Sequence, residues 1–176
     1  MVCGFTGHRP EKLPWGTVEE DPRCRALKVL IAREVKQAVD AGVTDFACGM
    51  ARGCDTYFAE AVLALRDEVP CLRLTAWLPC AGQADLWQEA DRIRWKNLLN
   101  CCDEVRLLEP VYSDGCMLRR DKAMVDGADM ILSVWDGSAG GTGWTVSYAK
   151  RQGQPVQAIW LSSCIDLGRL RRQRCR

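Results

Sequence analysis

The sequence lacks the features that identify several large classes of protein. It contains a single histidine, and none of its 11 cysteines belongs to a C-x-x-C pair, which leaves a zinc site without support. No apolar run approaches the roughly 20 residues of a membrane-spanning helix, and we find no charged-then-apolar leader. We therefore expect a cytoplasmic protein with reduced thiols, no membrane partner and no metal site.

Neither positive nor negative charge is in excess. Lys and Arg number 24 against 23 Asp and Glu, for a formal net charge of +1. No global field therefore draws the protein to nucleic acid, which we do not expect as a partner. The 176 residues, 48% of them hydrophobic, fit one globular domain. We predict a single domain over 1–176, in which 165–176 form a basic, solvated tail.

Apolar runs alternate with helical patterns along the whole chain. Segments with apolar residues at helical spacing separate short strand-like runs at 1–5, 45–48, 72–78, 104–108, 130–135 and 156–161. One such segment, 84–100, would bury Leu86, Ala90 and Ile93. Strict alternation predicts an α/β fold: a doubly wound, mainly parallel sheet of about six strands with helices on both faces.

Glycine-rich stretches follow three of the predicted strands. They read GFTGHRP at 4–10, CGMARGCDT at 48–56 and DGSAGGTGWT at 136–145, and they meet at the sheet edge where α/β proteins bind ligands. Glycine lets backbone N–H groups approach an anion. Each loop alone could be a simple tight turn, but three together favour a nucleotide-type ligand. The chain nevertheless has neither a Walker A motif nor G-x-G-x-x-G after its first strand.

The polar residues of these loops are candidate ligand groups. Arg9, held by Pro10, would clamp an anion across a cleft from the loop at 140–142, whereas His8 is either an acid–base group or a brace for the turn. Asp55 is placed to cap the helix after the second loop. Thr142 or Thr145 would cap the last helix, whose positive end favours a phosphate.

Two further groups of polar residues stand out on predicted helices. Asp121 falls on an apolar helical face and needs a partner, for which Arg120 and Arg9 are the candidates; a purely structural ion pair is the alternative.

Trp87 and Arg94 lie two turns apart and could stack on a base and hold a phosphate, although core packing of Trp87 explains the pattern equally well. Trp95 would be exposed and would mark a surface for self-association.

Five stretches together resemble the YpsA-like family of the SLOG superfamily, Rossmann-like proteins related to DprA and to the LOG phosphoribohydrolases. They are TGHRPEKLP at 6–14, GMARGCDTYFAE at 49–60, LPCAGQADLW at 78–87, YSDGCMLRRDKAMVD at 112–126 and VWDGSAGGTGWTVSYA at 134–149. The resemblance implies a single Rossmann-like domain, a nucleotide-derived ligand and an even-numbered homo-oligomer. The LOG motif GGxGTxxE is incomplete here, because Val146 or Ser147 stands where its glutamate would be.

We therefore expect a protein that binds a nucleotide-derived ligand such as ADP-ribose or an NAD-like molecule, in a sensing or sequestering role. The alternatives are hydrolysis of an N-glycosidic bond, with Asp55, Asp121 or Asp136 as the carboxylate, and DprA-like binding of single-stranded DNA. The predicted ligand-binding residues are Thr6, Gly7, His8, Arg9, Gly49, Met50, Gly53, Asp55, Trp87, Arg94, Arg120, Asp121, Asp136, Gly140, Gly141, Thr142 and Thr145.

Overall fold

The computed structural model describes residues 1–162, and the basic tail predicted at 165–176 lies outside them. The strands are β1 Val2–Gly7, β2 Asp45–Cys48, β3 Arg73–Cys80, β4 Glu104–Glu109, β5 Met130–Trp135 and β6 Val156–Trp160. The helices are α1 Pro22–Asp40, α2 Cys54–Arg66, α3 Glu89–Cys101, α4 Cys116–Asp126 and α5 Gly141–Arg151, and a 3₁₀ turn covers Pro10–Lys12. No helix within 1–162 is long and apolar enough to cross a membrane.

All six strands form one parallel sheet in the order β4-β3-β2-β1-β5-β6. The chain moves outward from β1 to β4 and then crosses back to place β5 on the free side of β1. Strand order therefore reverses between β1 and β5, where Gly7 pairs with Val134. In open parallel sheets this reversal leaves a crevice beyond the carboxyl ends of the two strands. The α/β architecture predicted from the alternation is confirmed.

Helices cover both faces of the sheet because both faces are apolar. Helix α2 packs on β1, β2 and β3 and contacts α1 and α3, whereas α4 and α5 pack on each other and on the opposite face. The core beneath α2 is built on three fully buried rings, with Phe58 stacked on Phe5 at 4.3 Å and edge-on to Phe46 at 5.9 Å between ring centroids. These rings fix α2 over β1, and so fix the loops that follow β1 and β2.

The segment 84–100 differs from the prediction. Strand β3 continues through Pro79 to Cys80, the next residues form turns, and α3 begins only at Glu89. Leu86 is consequently 98% exposed and Ile93 52% exposed, so the predicted buried face is wrong. Trp95 packs against the core instead and gives no support to a self-association surface.

Candidate functional site

A cavity of about 370 Å³ opens at the carboxyl ends of β1 and β2, beside the crossing to β5. Its volume lies in the range of small-molecule sites. Ten of the predicted ligand-binding residues line it: Thr6, Gly7, His8, Arg9, Gly49, Asp55, Arg120, Asp121, Gly141 and Thr142. The structure thus brings together residues from four separate segments of the chain.

The loop after β1 is held by hydrogen bonds to the loop after β5 and to the start of α2. His8 is 2% exposed, and its Nε2 lies 2.8 Å from Oδ1 of Asp136, which also accepts the Ser138 N–H at 2.9 Å. Hydrogen bonds from Ser138, and then from His8, hold the pKa of Asp136 well below its usual range. On the other side, the His8 carbonyl accepts the Cys54 N–H. His8 therefore braces the turn, and Asp136 supports the cavity without lining it.

Gly53 shows why the second loop contains glycine. It precedes α2 with φ of +83°, and a Cβ there would lie 2.9 Å from the His8 carbonyl oxygen. Only glycine adopts this backbone conformation without strain and permits the close approach. Gly53 itself lies outside the cavity, as does Met50, which is 1% exposed and has φ of +52°. Both shape the loop beneath the cavity.

Arg120 and Asp121 form a buried ion pair at the cavity wall. Arg120 is 5% exposed, with Nε 2.8 Å from Oδ1 of Asp121 and Nη1 donating to the Trp77 carbonyl at 3.1 Å. The Thr145 hydroxyl lies 3.2 Å from Oδ2 of Asp121 and 2.9 Å from the Gly141 carbonyl oxygen, and its single proton can be donated to either acceptor. Of the two partners predicted for Asp121, Arg120 is the one that the structure shows. Thr145 contacts Asp121 but does not line the cavity.

The guanidinium of Arg120 occupies the space above Gly49. A Cβ at Gly49 would lie 1.4 Å from Arg120 Nη1 and 2.2 Å from Cζ. The chain can pass under the guanidinium at this point only because residue 49 has no side chain. The second glycine loop and the buried ion pair are therefore one structural unit.

Asp55 lies in the first turn of α2 and is not its cap. Gly53 is the N-cap residue, and Oδ2 of Asp55 accepts the Ala51 N–H at 3.1 Å. Burial raises the pKa of Asp55 to about 6, opposed by the positive charge of Arg120. Asp55 is 5% exposed and lines the cavity, so its protonation changes the charge of the cavity wall.

The amino end of α5 faces the cavity without a side-chain cap. Gly140 is the N-cap residue, and neither Thr142 nor Thr145 makes a capping hydrogen bond, so that prediction is wrong. The N–H groups of a first helical turn have no partner within the helix, and the helix dipole adds partial positive charge there. Gly141 and Thr142 therefore present uncapped donors to the cavity.

Two exposed cations border the cavity mouth. Arg9 reaches Met117 on α4, with 3.8 Å between Nη2 and Sδ. Lys12 donates to the Ala139 carbonyl at 2.6 Å and lies 3.2 Å from Ser138 Oγ. Neither cation pairs with a carboxylate within residues 1–162. Arg9, Lys12 and the amino end of α5 therefore bring positive charge to the mouth, where the exposed Glu11 is paired with Arg52.

Sequence reasoning missed several lining residues. Lys12 and Glu11 reach the cavity because a 3₁₀ turn beginning at Pro10 folds the chain back over its edge. Proline at the first helical position was the available signal for that turn. Met117 and Leu118 complete the apolar part of the wall from α4, and no local pattern distinguishes them from ordinary core residues.

Trp87 and Arg94 lie away from the cavity. Arg94 pairs with Glu60 at 2.7 Å and with Glu19 at 2.6 Å. Trp87 contacts Trp95 edge-on at 6.0 Å between ring centroids. Because it forms ion pairs with two carboxylates, Arg94 links α3 to α2 and to the segment before α1.

Comparison with known proteins agrees with this architecture. Residues 3–161 match the model of the YspA SLOG family, YpsA. The chain belongs to this family. Among its relatives, the uncharacterized SPbeta prophage-derived protein YoqJ of Bacillus subtilis (strain 168) is 27% identical over 144 residues, 75% of this chain and 80% of YoqJ. A UPF0398 protein of Bacillus anthracis (strain A0248) is 24% identical over 157 residues, 87% of this chain and 84% of its own.

Two solved structures share the fold of this SLOG protein. DNA processing protein A from Helicobacter pylori, described for its single-stranded DNA binding mode, superposes with a TM-score of 0.58 at 13% identity. DprA from Streptococcus pneumoniae superposes with a TM-score of 0.56 at 14% identity. The alignments cover 90% and 89% of this chain but 64% and 49% of those proteins, so the likeness concerns one part of each.

The contact between Gly49 and Arg120 can be tested by adding a single carbon. We expect Gly49→Ala to lower the free energy of unfolding by about 3 kcal/mol, because it displaces Arg120 and leaves Asp121 buried without its partner. Gly141→Ala is the matched control: a Cβ there meets nothing within 4 Å, so stability should change by less than about 0.5 kcal/mol. Equal stability of the two variants in urea unfolding would contradict the assigned contact.

The raised pKa of Asp55 predicts a pH-dependent stability. Its ordinary pKa of 3.8 rises to about 6 in the folded protein, so the folded state binds the proton more tightly between those values. The free energy of unfolding should therefore fall as pH rises from 4 to 7, by up to about 3 kcal/mol relative to Asp55→Asn. Urea titrations of both proteins at several pH values check this, and parallel pH profiles would refute it.

Proposed function

We propose that the protein binds a nucleotide or nucleotide-derived ligand, with its phosphates held by the amino end of α5 and the cations Arg9 and Lys12. One observation carries the proposal: the cavity at the strand-order reversal has the uncapped amino end of α5 with Lys12 beside it, Arg9 extends towards α4, and neither cation has a carboxylate partner within the described chain. Such a helix end is a ready anion site, and arginine suits bidentate contact with phosphate.

The acidic residues of the cavity suit the sugar rather than the phosphates. Asp55 and Asp121 line the wall, and each is buried against the charge of Arg120. Carboxylates accept hydrogen bonds from ribose hydroxyls, as the acidic residue of dinucleotide-binding folds does. An ADP-ribose or NAD-like molecule, with two phosphates and at least one ribose, has this arrangement of anions and hydroxyls. The ligand would be sensed or sequestered.

Single-stranded DNA is the second candidate. The similarity of fold to DprA from Helicobacter pylori, described for its single-stranded DNA binding mode, favours it and bears against the expectation from the near-neutral charge. The cations at the cavity mouth could contact phosphates of either ligand. A polynucleotide would add many phosphate contacts, and its affinity would then fall steeply with salt.

The experiment that tests the proposal is mass spectrometry of the protein and its supernatant after incubation with nucleotides, NAD and ADP-ribose. A ligand retained intact supports binding. Release of a free base would mean hydrolysis instead, and Asp55 and Asp121, which line the cavity, are then the carboxylates to replace. Retention of none of them, together with salt-sensitive binding of a dT oligonucleotide, would favour the second candidate.

Replacement of Arg9 gives the corresponding binding test. We expect Arg9→Ala to weaken ADP-ribose binding about 10-fold or more, the effect of losing one hydrogen bond to a charged group. Arg73→Ala is the matched control, because Arg73 is exposed and lies at the opposite end of the strands, beside Asp45. Calorimetric titration checks both variants. Undiminished affinity in a stably folded Arg9→Ala protein would remove Arg9 from the site.

A further inference from the structure

A second hollow lies on the outer side of α5, and we call it the outer groove. It is lined by Trp135, Gly137, Gly140, Trp144, Ser147 and Arg151. The groove is wide and open, in contrast to the cavity on the other side of the same helix end. Leu118 and Gly141 line both, so the two hollows adjoin at the first turn of α5.

Two indole rings in fixed orientations border the outer groove. Trp135 stacks on Trp160 with 5.9 Å between ring centroids, and its Nε1 donates to the Ser138 carbonyl at 2.8 Å. Trp144 stacks on Tyr148 at 5.2 Å with the planes 1° apart. Both tryptophans are half-buried. Aromatic rings held this way bind other flat rings with little loss of side-chain freedom.

Between the indoles the side chains are small. Residues 137–141 read Gly-Ser-Ala-Gly-Gly and all five line the groove. Lys12 Nζ lies over Gly140, 2.8 Å from where a Cβ would be, whereas a Cβ at Gly141 would meet nothing within 4 Å, so the backbone at Gly141 has room for a planar group. Larger residues here would fill that space.

The charge of the outer groove is positive. Arg151 lines it and lies over Tyr148 with Cζ 5.7 Å from the ring centroid. Among the lining residues of 1–162 there is no Asp or Glu. Fixed aromatic rings next to a cation are the combination that binds nucleobases linked to phosphate.

We propose that the outer groove is a base-binding subsite of the same ligand. Its occupant is a nucleobase stacked on Trp144 and Trp135, joined through its sugar to the phosphates at the amino end of α5. This inference rests on the proposed function and deepens it, since it requires the ligand to carry an aromatic base beside its anionic part. The base is thus assigned to α5 and not to Trp87.

The test compares a ligand that has a base with one that has none. We expect Trp144→Ala to weaken ADP-ribose binding about 10-fold, within the range measured for loss of one stacked base, and to leave ribose 5-phosphate binding unchanged. Trp87→Ala is the matched control and should change neither. If removal of Trp144 perturbs folding, Ser147→Leu serves instead, because residue 147 is exposed on α5 and a leucine there would fill the groove.

The outcomes separate this inference from the proposed function. Weaker ADP-ribose binding in Arg9→Ala but not in Trp144→Ala or Ser147→Leu would overturn the base subsite and leave the phosphate site standing. Failure of the unaltered protein to bind either ADP-ribose or ribose 5-phosphate would overturn both. Binding of a dT oligonucleotide that is tighter than that of ADP-ribose and sensitive to Trp144→Ala would assign the groove to a single strand, and so overturn the small-ligand assignment.

Discussion

The buried Arg120–Asp121 pair links four elements at the sheet edge: α4, β3, the loop after β2 and α5. Through Arg120 it holds the carbonyl of Trp77 on β3 and covers Gly49 after β2; through Asp121 it holds Thr145 on α5. Breaking a buried pair leaves an uncompensated charge in a poorly solvated place. Packing on α4 and β5 positions α5, and this ionic contact adds the link between α5, the second glycine loop and the cavity wall that lies between them.

Charges in the cavity are arranged by depth. The carboxylates of Asp55 and Asp121 are buried in the wall next to Arg120, whereas Arg9 and Lys12 lie exposed at the mouth. A polyanion entering from solvent therefore meets Arg9, Lys12 and the helix donors before these two carboxylates; the exposed Glu11, also at the mouth, is paired with Arg52. Because salt screens exposed charges much more than buried ones, the mouth and the wall will respond differently to ionic strength.

The sequence predicted the fold and the three glycine loops well, because periodicity and turn residues are local signals. It identified ten cavity residues for the same reason: parallel strands bring all their carboxyl ends to one edge. It failed at Leu86, where a helical period was extended into turns before Glu89. It did not predict the ion pairs of Arg94, whose partners Glu19 and Glu60 are 75 and 34 residues away. It also missed Lys12, which reaches the cavity only through the 3₁₀ turn. Those positions depend on tertiary contacts that no local pattern encodes.

The contacts that complete the cleft are also the most distant along the chain. His8 meets Asp136, and Lys12 meets Ala139, across 128 and 127 residues. Closing such long loops carries a high entropic penalty, whereas each strand–helix–strand unit forms from neighbouring residues. A sheet of β1 to β4 therefore contains only part of the cavity wall. The cavity is complete only when β5 pairs with β1 and the amino end of α5 lies beside them, so its formation coincides with completion of the fold.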